Sequence, residues 1–303
     1  MIETKKTRLK GFAFVFLAVL IYSGQSVIAR SVLIAGFSPI LLAALKLISG
    51  FITLSIMILI MRKKLHFDKK DLPTWLVLGI VGGAGFAITL SYSFSIQGAS
   101  QGIIYLYTAP AFTVILSHFY LKEKLTKNKL IAVLLVLIGT IAVALGSGGS
   151  SFEFSFIGLL FGLGSGLSYG FFSIIGKKLS ARYDSWNLNF FYILIGSIVV
   201  SPVLVFFDWP ALISNSLDLL FWVFLYGAMI FGFGNYFFMK SMNYLEAGEI
   251  MIFANFEPVL SVIFASLILS EKLMPLQIVG FVFILTAIFL ITKTDGKYIA
   301  LEG

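Results

Sequence analysis

The chain has 303 residues, of which 59% are hydrophobic and only 12% charged, and its mean hydropathy is +1.01. A soluble domain is about a quarter charged and has no interior large enough for this much Phe, Leu and Ile, so composition excludes that class in favour of a polytopic membrane protein. With no Cys, disulfides and thiolate metal sites are excluded, and the net charge of +8 takes its meaning from where the cations sit.

Crossing the hydrocarbon core takes about 20 apolar residues, and ten segments qualify: 11–33, 38–61, 72–93, 99–121, 128–146, 155–178, 186–207, 217–239, 248–270 and 274–292. Barrel strands would be shorter and would alternate polar with apolar, which these do not. The first span follows the basic "KKTRLK" but is too long for a signal peptide and lacks a small-residue cleavage site, so a retained helix is expected. Span two carries Lys46 at mid-depth. Span three holds "GGAGF" at 82–86, and span four holds Pro110 and ends in "LKEKL". After span five, "GSGGSS" at 146–151 opens a flexible linker, set at 147–154, between a first unit, 1–146, and a second, 155–303. Span six repeats glycine every fourth residue at Gly158, Gly162, Gly166 and Gly170, a spacing that favours close helix packing. Span eight carries "FGFGN" at 231–235, the counterpart of the glycines in span three. Span nine carries "NFEP", with Glu257 beside Pro258, and ends in "LSEKL".

Lys and Arg collect in cytoplasmic loops. With the N-terminus inside, nineteen of the 22 cations fall in inside segments and Lys272 alone falls outside, while Arg30 and Lys46 lie within spans. Both termini are therefore expected in the cytoplasm, and the basic excess reads as a topology signal with no nucleic-acid partner implied.

A shift of 148 residues aligns 103–125 with 251–273 at eight identical positions of 23, including Pro110/Pro258 and the Glu-Lys-Leu ending. A shift of 147 pairs Tyr22 with Tyr169, Ser26 with Ser173, Arg30 with Lys177, Trp75 with Trp222 and Gly85 with Gly232. Each half has five spans, so the second copy enters the membrane upside down relative to the first. Inverted repeats of this kind are typical of secondary transporters. The expected fold is thus all-α integral membrane: ten transmembrane helices as two inverted five-helix repeats around a central cavity.

The two halves, the Pro-bearing fourth spans and "NYLEAGEIMIFANFEPVLSVIFASLILSEKL" at 243–273 resemble the EamA-type branch of the drug/metabolite transporter superfamily over roughly 11–292. The resemblance implies a cavity lined by spans one, three, four, six, eight and nine. It also implies peripheral spans five and ten, sometimes at a homodimer contact. The Glu-Pro pair departs from the repeat, because the first half reads Ala109-Pro110.

Charged groups at mid-membrane are costly and usually face a cavity or a partner. Glu257 is therefore the first candidate for substrate binding or coupling, and Pro258, like Pro110, is expected to kink its helix. Lys46 could hold a substrate carboxylate, or could neutralise Glu257 in a purely structural pair. Arg30, near the outer end of span one, is a gate or anchor candidate. Asn235 and Asn255 need partners for their amides at membrane depth, and Tyr22, Gln25, Tyr105, Tyr169 and Tyr236 complete the candidate lining, although most aromatics in such a chain pack or face lipid. The Gly-rich 162–170 lacks the base or the Lys-Ser/Thr context that a nucleophile or phosphate loop requires, and no metal-ligand spacing or cofactor motif occurs. The leading expectation is a secondary transporter in the cell membrane, not an enzyme. It would move a small amphiphilic metabolite such as an amino acid, outward, by alternating access with proton entry as the coupling. A channel, a scaffold or an intramembrane lipid-modifying enzyme is the alternative.

Overall fold

The computed structural model describes residues 2–146, 155–207, 209–269 and 273–293, and among these every regular element is helical. The linker expected at 147–154, the Glu271–Lys272 pair and the tail beyond 293 lie outside the described residues, as does the side chain of Arg30 within the helix Gln25–Ile34.

Nine helices among the described residues are long and apolar enough to span a membrane. The tenth expected span is the first, and a bend explains its omission from that set. Residues Ser23 and Gly24 separate Ile2–Tyr22, which starts in a basic stretch, from Gln25–Ile34. Other spans begin where a short polar side chain caps the first turn, satisfying backbone N–H groups that have no helical partner. Ser38 accepts from Leu41 N ahead of Pro39–Ile60, Ser155 from Gly158 N ahead of Phe156–Ser180, and Asp184 from Asn187 N ahead of Ser185–Val200.

Spans four and nine are each cut in two at matching places. Tyr107 and Thr108 precede Ala109–Leu121, and Asn255 and Phe256 precede Glu257–Leu269. Pro110 and Pro258 sit in the first turn of the second piece, where the N–H they lack would be unpaired anyway. The expected kinks are therefore full breaks with helix restarts. Spans three and eight share a second irregularity: Leu78–Gly85 and Ala228–Gly234 are π-helical.

Packing obeys the exchange of halves. Span one lies on spans eight and nine as span six lies on spans three and four, span two crosses span seven, and span five packs on span ten. In the last pair the backbones touch through glycine: a Cβ on Gly139 would stand 2.8 Å from the Gly280 carbonyl oxygen. The glycine stripe of span six works the same way, since added Cβ atoms would strike Gln97, Tyr105, Thr108 and Thr113 in turn. That row seats span six directly on the broken span four.

Candidate functional site

The two helix breaks aim their polar residues at each other. The bend in span one turns Gln25 inward, and the restart of span nine presents Glu257 at its first position. Gln25 Nε2 donates to Glu257 Oε1 at 2.7 Å, with Gln25 5% and Glu257 3% exposed. Ser261 Oγ donates to the Ser23 carbonyl at 2.7 Å, so a second bond joins the two breaks. The Tyr107 hydroxyl, at the break in span four, lies beside the same carboxylate but closes no hydrogen bond of ordinary geometry.

Next to this junction is a narrow cavity with room for little more than a water molecule, whose walls include Tyr22, Gln25, Phe86, Tyr169, Phe172 and Asn235. The Tyr22 hydroxyl donates to Asn235 Oδ1, whereas Asn235 Nδ2 is buried with no partner. Tyr192 of span seven closes another side and donates to the Gly82 carbonyl at 3.2 Å. The site is thus mostly aromatic, with Gln25, the partner of the Glu257 carboxylate, at one edge and the unpaired donor Asn235 Nδ2 in the wall. Such an arrangement suits a small amphiphilic ligand.

Lys46 does not pair with Glu257. Its ammonium donates to Ser91 Oγ at 3.2 Å and lies 5.9 Å from the Tyr226 ring centre and 6.0 Å from that of Phe231. The lysine is 2% exposed, and among the described residues no carboxylate reaches it. The structural pair is replaced by an amide on the carboxylate and by a hydroxyl and two ring faces on the ammonium.

The remaining candidates divide. Tyr22, Gln25, Tyr169 and Asn235 meet at the cavity. Tyr105 instead packs against Gly162, Tyr236 makes a tilted ring contact with Trp186 at 4.4 Å between centres, and Asn255 turns its Nδ2 back to the Met251 carbonyl at 2.9 Å, leaving its buried Oδ1 unpaired. Tyr192, Tyr226, Phe172 and Phe231 were not singled out from sequence. For the two tyrosines a signal existed, since a phenol placed mid-span must find a partner. For the phenylalanines none did, in a chain with 32 of them.

Comparison with known families decides the class. Residues 9–145 and 156–293 each match the EamA-like transporter family. The chain belongs to the EamA-like transporter family. As a member of it, the chain is a membrane transporter and an integral membrane protein. It is similar to "Uncharacterized transporter YoaV" of Bacillus subtilis (strain 168), at 24% identity over 93% of this chain and 96% of the relative. An uncharacterized transporter of Clostridium kluyveri is 25% identical over 91% of each chain. A solved crystal structure shares the fold, with a TM-score of 0.76 at 18% identity, covering 93% of this chain and 96% of its own.

Proposed function

We propose that this EamA-like transporter carries a small amphiphilic metabolite with a basic nitrogen, an amino acid or a relative of one, by alternating access, with Glu257 as the group that binds the substrate's cation or a coupling proton. The observation that carries the reading is the Glu257 carboxylate itself. It is buried at a helix break, held by Gln25 and met by no cation among the described residues. A carboxylate in that position costs several kcal/mol unless a partner arrives, and a proton or an ammonium is such a partner. The aromatic walls would hold the apolar part of the substrate, and Asn235 Nδ2 supplies an unspent donor. Lys46, the other uncompensated charge, is assigned to the substrate's carboxylate: Phe231, a wall of the cavity, has its ring centre 6.0 Å from the ammonium. The basic inside loops support placing both termini on the cytoplasmic side of the cell membrane, and export against proton entry is the working direction.

The test is uptake into proteoliposomes of labelled amino acids, amines and sugars, with and without an outward proton gradient from an acidic lumen, the direction that drives uptake by a proton antiporter. Saturable uptake of amino acids or amines, driven by the gradient and made independent of it by Glu257→Gln, is expected. Gradient dependence that survives in Glu257→Gln would remove the coupling role. Lys46→Met should weaken zwitterionic substrates at least tenfold more than cationic ones, and equal losses would return Lys46 to a structural role.

A further inference from the structure

At the far end from Glu257 of the eight-residue helix Ala247–Ala254, which is itself about 12 Å long, lies a second polar cluster that the cavity does not use. Its centre is Glu123 of the first "EKL" motif, 7% exposed. Both of its carboxylate oxygens cap the start of that helix, accepting from Ala247 N at 2.7 Å and Gly248 N at 3.3 Å. Lys129 bridges Glu123, at 3.5 Å, and Glu246. Arg8, on the first helix, places one guanidinium nitrogen 2.7 Å and the other 3.4 Å from Glu249, and also donates to the Ile291 carbonyl of span ten at 3.3 Å. Lys177 faces the same three carboxylates and donates to the Met242 carbonyl. Three cations thus balance three carboxylates. Arg8, Glu123 and Lys129 come from the first repeat, and Lys177, Glu246 and Glu249 from the second.

We propose that this cluster is the gate at the basic end of the transport path, with Glu123 as a positioning residue that latches the helix leading to Glu257. The inference rests on the alternating-access reading. Two features distinguish a latch from ordinary packing. Glu123 holds backbone N–H groups of the opposite repeat, so separating the halves at this end must free the Ala247 and Gly248 N–H groups and leave the first turn of the Ala247–Ala254 helix to its own Glu246–Glu249 capping box. All the charges also find partners across or within one compact seam, so the seam can part into water and reform without stranding a charge in lipid. The helix so released leads straight into the break at Asn255 and Phe256 and then to Glu257. Opening at this end is thereby tied to the carboxylate proposed to carry the substrate.

The chain has no Cys, so one introduced thiol reports on the cavity. Ile230→Cys places it on the cavity wall, where Ile230 is 5% exposed. A membrane-impermeant maleimide is then applied to vesicles of each orientation. Adding Glu123→Gln, or separately Lys129→Gln, should speed labelling from the basic end about tenfold, a population shift well within what the loss of a buried pair can produce. Labelling from the opposite end should be unchanged or slower, and Lys129→Arg should restore the slow rate. Unchanged labelling in variants that keep their melting temperature would overturn the proposal, as would equal acceleration from both ends. Should both variants fail to fold, Glu123→Cys with Ala247→Cys decides: a thiol crosslink that stops transport and is reversed by its cleavage supports the gate, and full transport with the crosslink in place removes it. Labelling needs no substrate. A protein that responds this way yet carries none of the solutes offered would overturn the proposed substrate class alone.

Discussion

Tyr22 and Tyr192 each place a phenol in an apolar span, and each spends it on a partner far away in sequence, Asn235 Oδ1 and the Gly82 carbonyl. Polar bonds between membrane helices are worth about 1 kcal/mol. Tyr22→Phe should therefore leave the protein folded, with a melting temperature within a few degrees of the parent, because the lost bond is small. Its effect should fall on the cavity instead, where Asn235 would lose its fixed orientation and apparent substrate affinity should drop several-fold in an uptake assay. Individual polar residues at this scale were legible in the sequence, since Glu257, Gln25, Asn235 and Lys46 each interrupt an apolar run. Their pairing was not. Charge complementarity suggested Lys46 for Glu257, but the partner chosen by the fold is Gln25, 232 residues away, because two independent helix breaks bring those side chains to one point. Nothing in local spacing encodes that meeting.

The helices show a similar division between what spacing reveals and what packing decides. Proline cannot donate a backbone hydrogen bond, so Pro110 and Pro258 marked the breaks in spans four and nine directly. The π-helical turns at Leu78–Gly85 and Ala228–Gly234 were hidden, because a glycine-rich run reads equally well as a close-packing surface. Both readings hold at once here. A π turn leaves carbonyls off the regular ladder, and span seven collects them: Asn189 Nδ2 donates to Phe231 O at 3.1 Å and Gly232 O at 2.9 Å, while Tyr192 serves Gly82. One helix thus fastens the irregular turns of both repeats, an asymmetry that the inverted repeat does not require, since a shift of 147 sets Leu42 and Leu45 opposite these positions. Asn189→Leu should cost about 1–3 kcal/mol through unpaired buried carbonyls, read as a lower melting temperature in detergent. Gly227→Ala should be comparably damaging, because its Cβ would overlap Ser49 Oγ and the Lys46 carbonyl, and overpacking of this sort costs about 1–3 kcal/mol.

At the scale of the molecule, two ion clusters among the described residues join the halves at the basic end, and their surroundings give them different work. The Glu123 cluster is buried. The other ties the turn before span three to the turn before span seven: Arg182 reaches Asp71 at 2.7 Å and Asp68 at 3.2 Å, and the Tyr183 hydroxyl donates to Asp71 at 2.6 Å. Arg182 is 53% exposed, and an exposed pair is worth about 0–1 kcal/mol. Asp68 is held below its ordinary pKa first by the Lys70 backbone N–H it accepts from, with the Arg182 guanidinium adding to the effect. A depressed carboxylate stabilises above its unfolded pKa, and that contribution is lost only as pH falls through the lower folded value. Stability contributed by this clamp should therefore be flat from neutral pH down to the ordinary carboxylate range and decline only in stronger acid. Added salt should remove little, because the leading cause is a backbone hydrogen bond and not a charge. Arg182→Ala should accordingly lower the melting temperature slightly, leave uptake intact and leave Ile230→Cys labelling unchanged from either side. If Arg182→Ala opened the cavity to the maleimide as Glu123→Gln is expected to, the exposed clamp would share the gating role and the division of labour between the two clusters would fail.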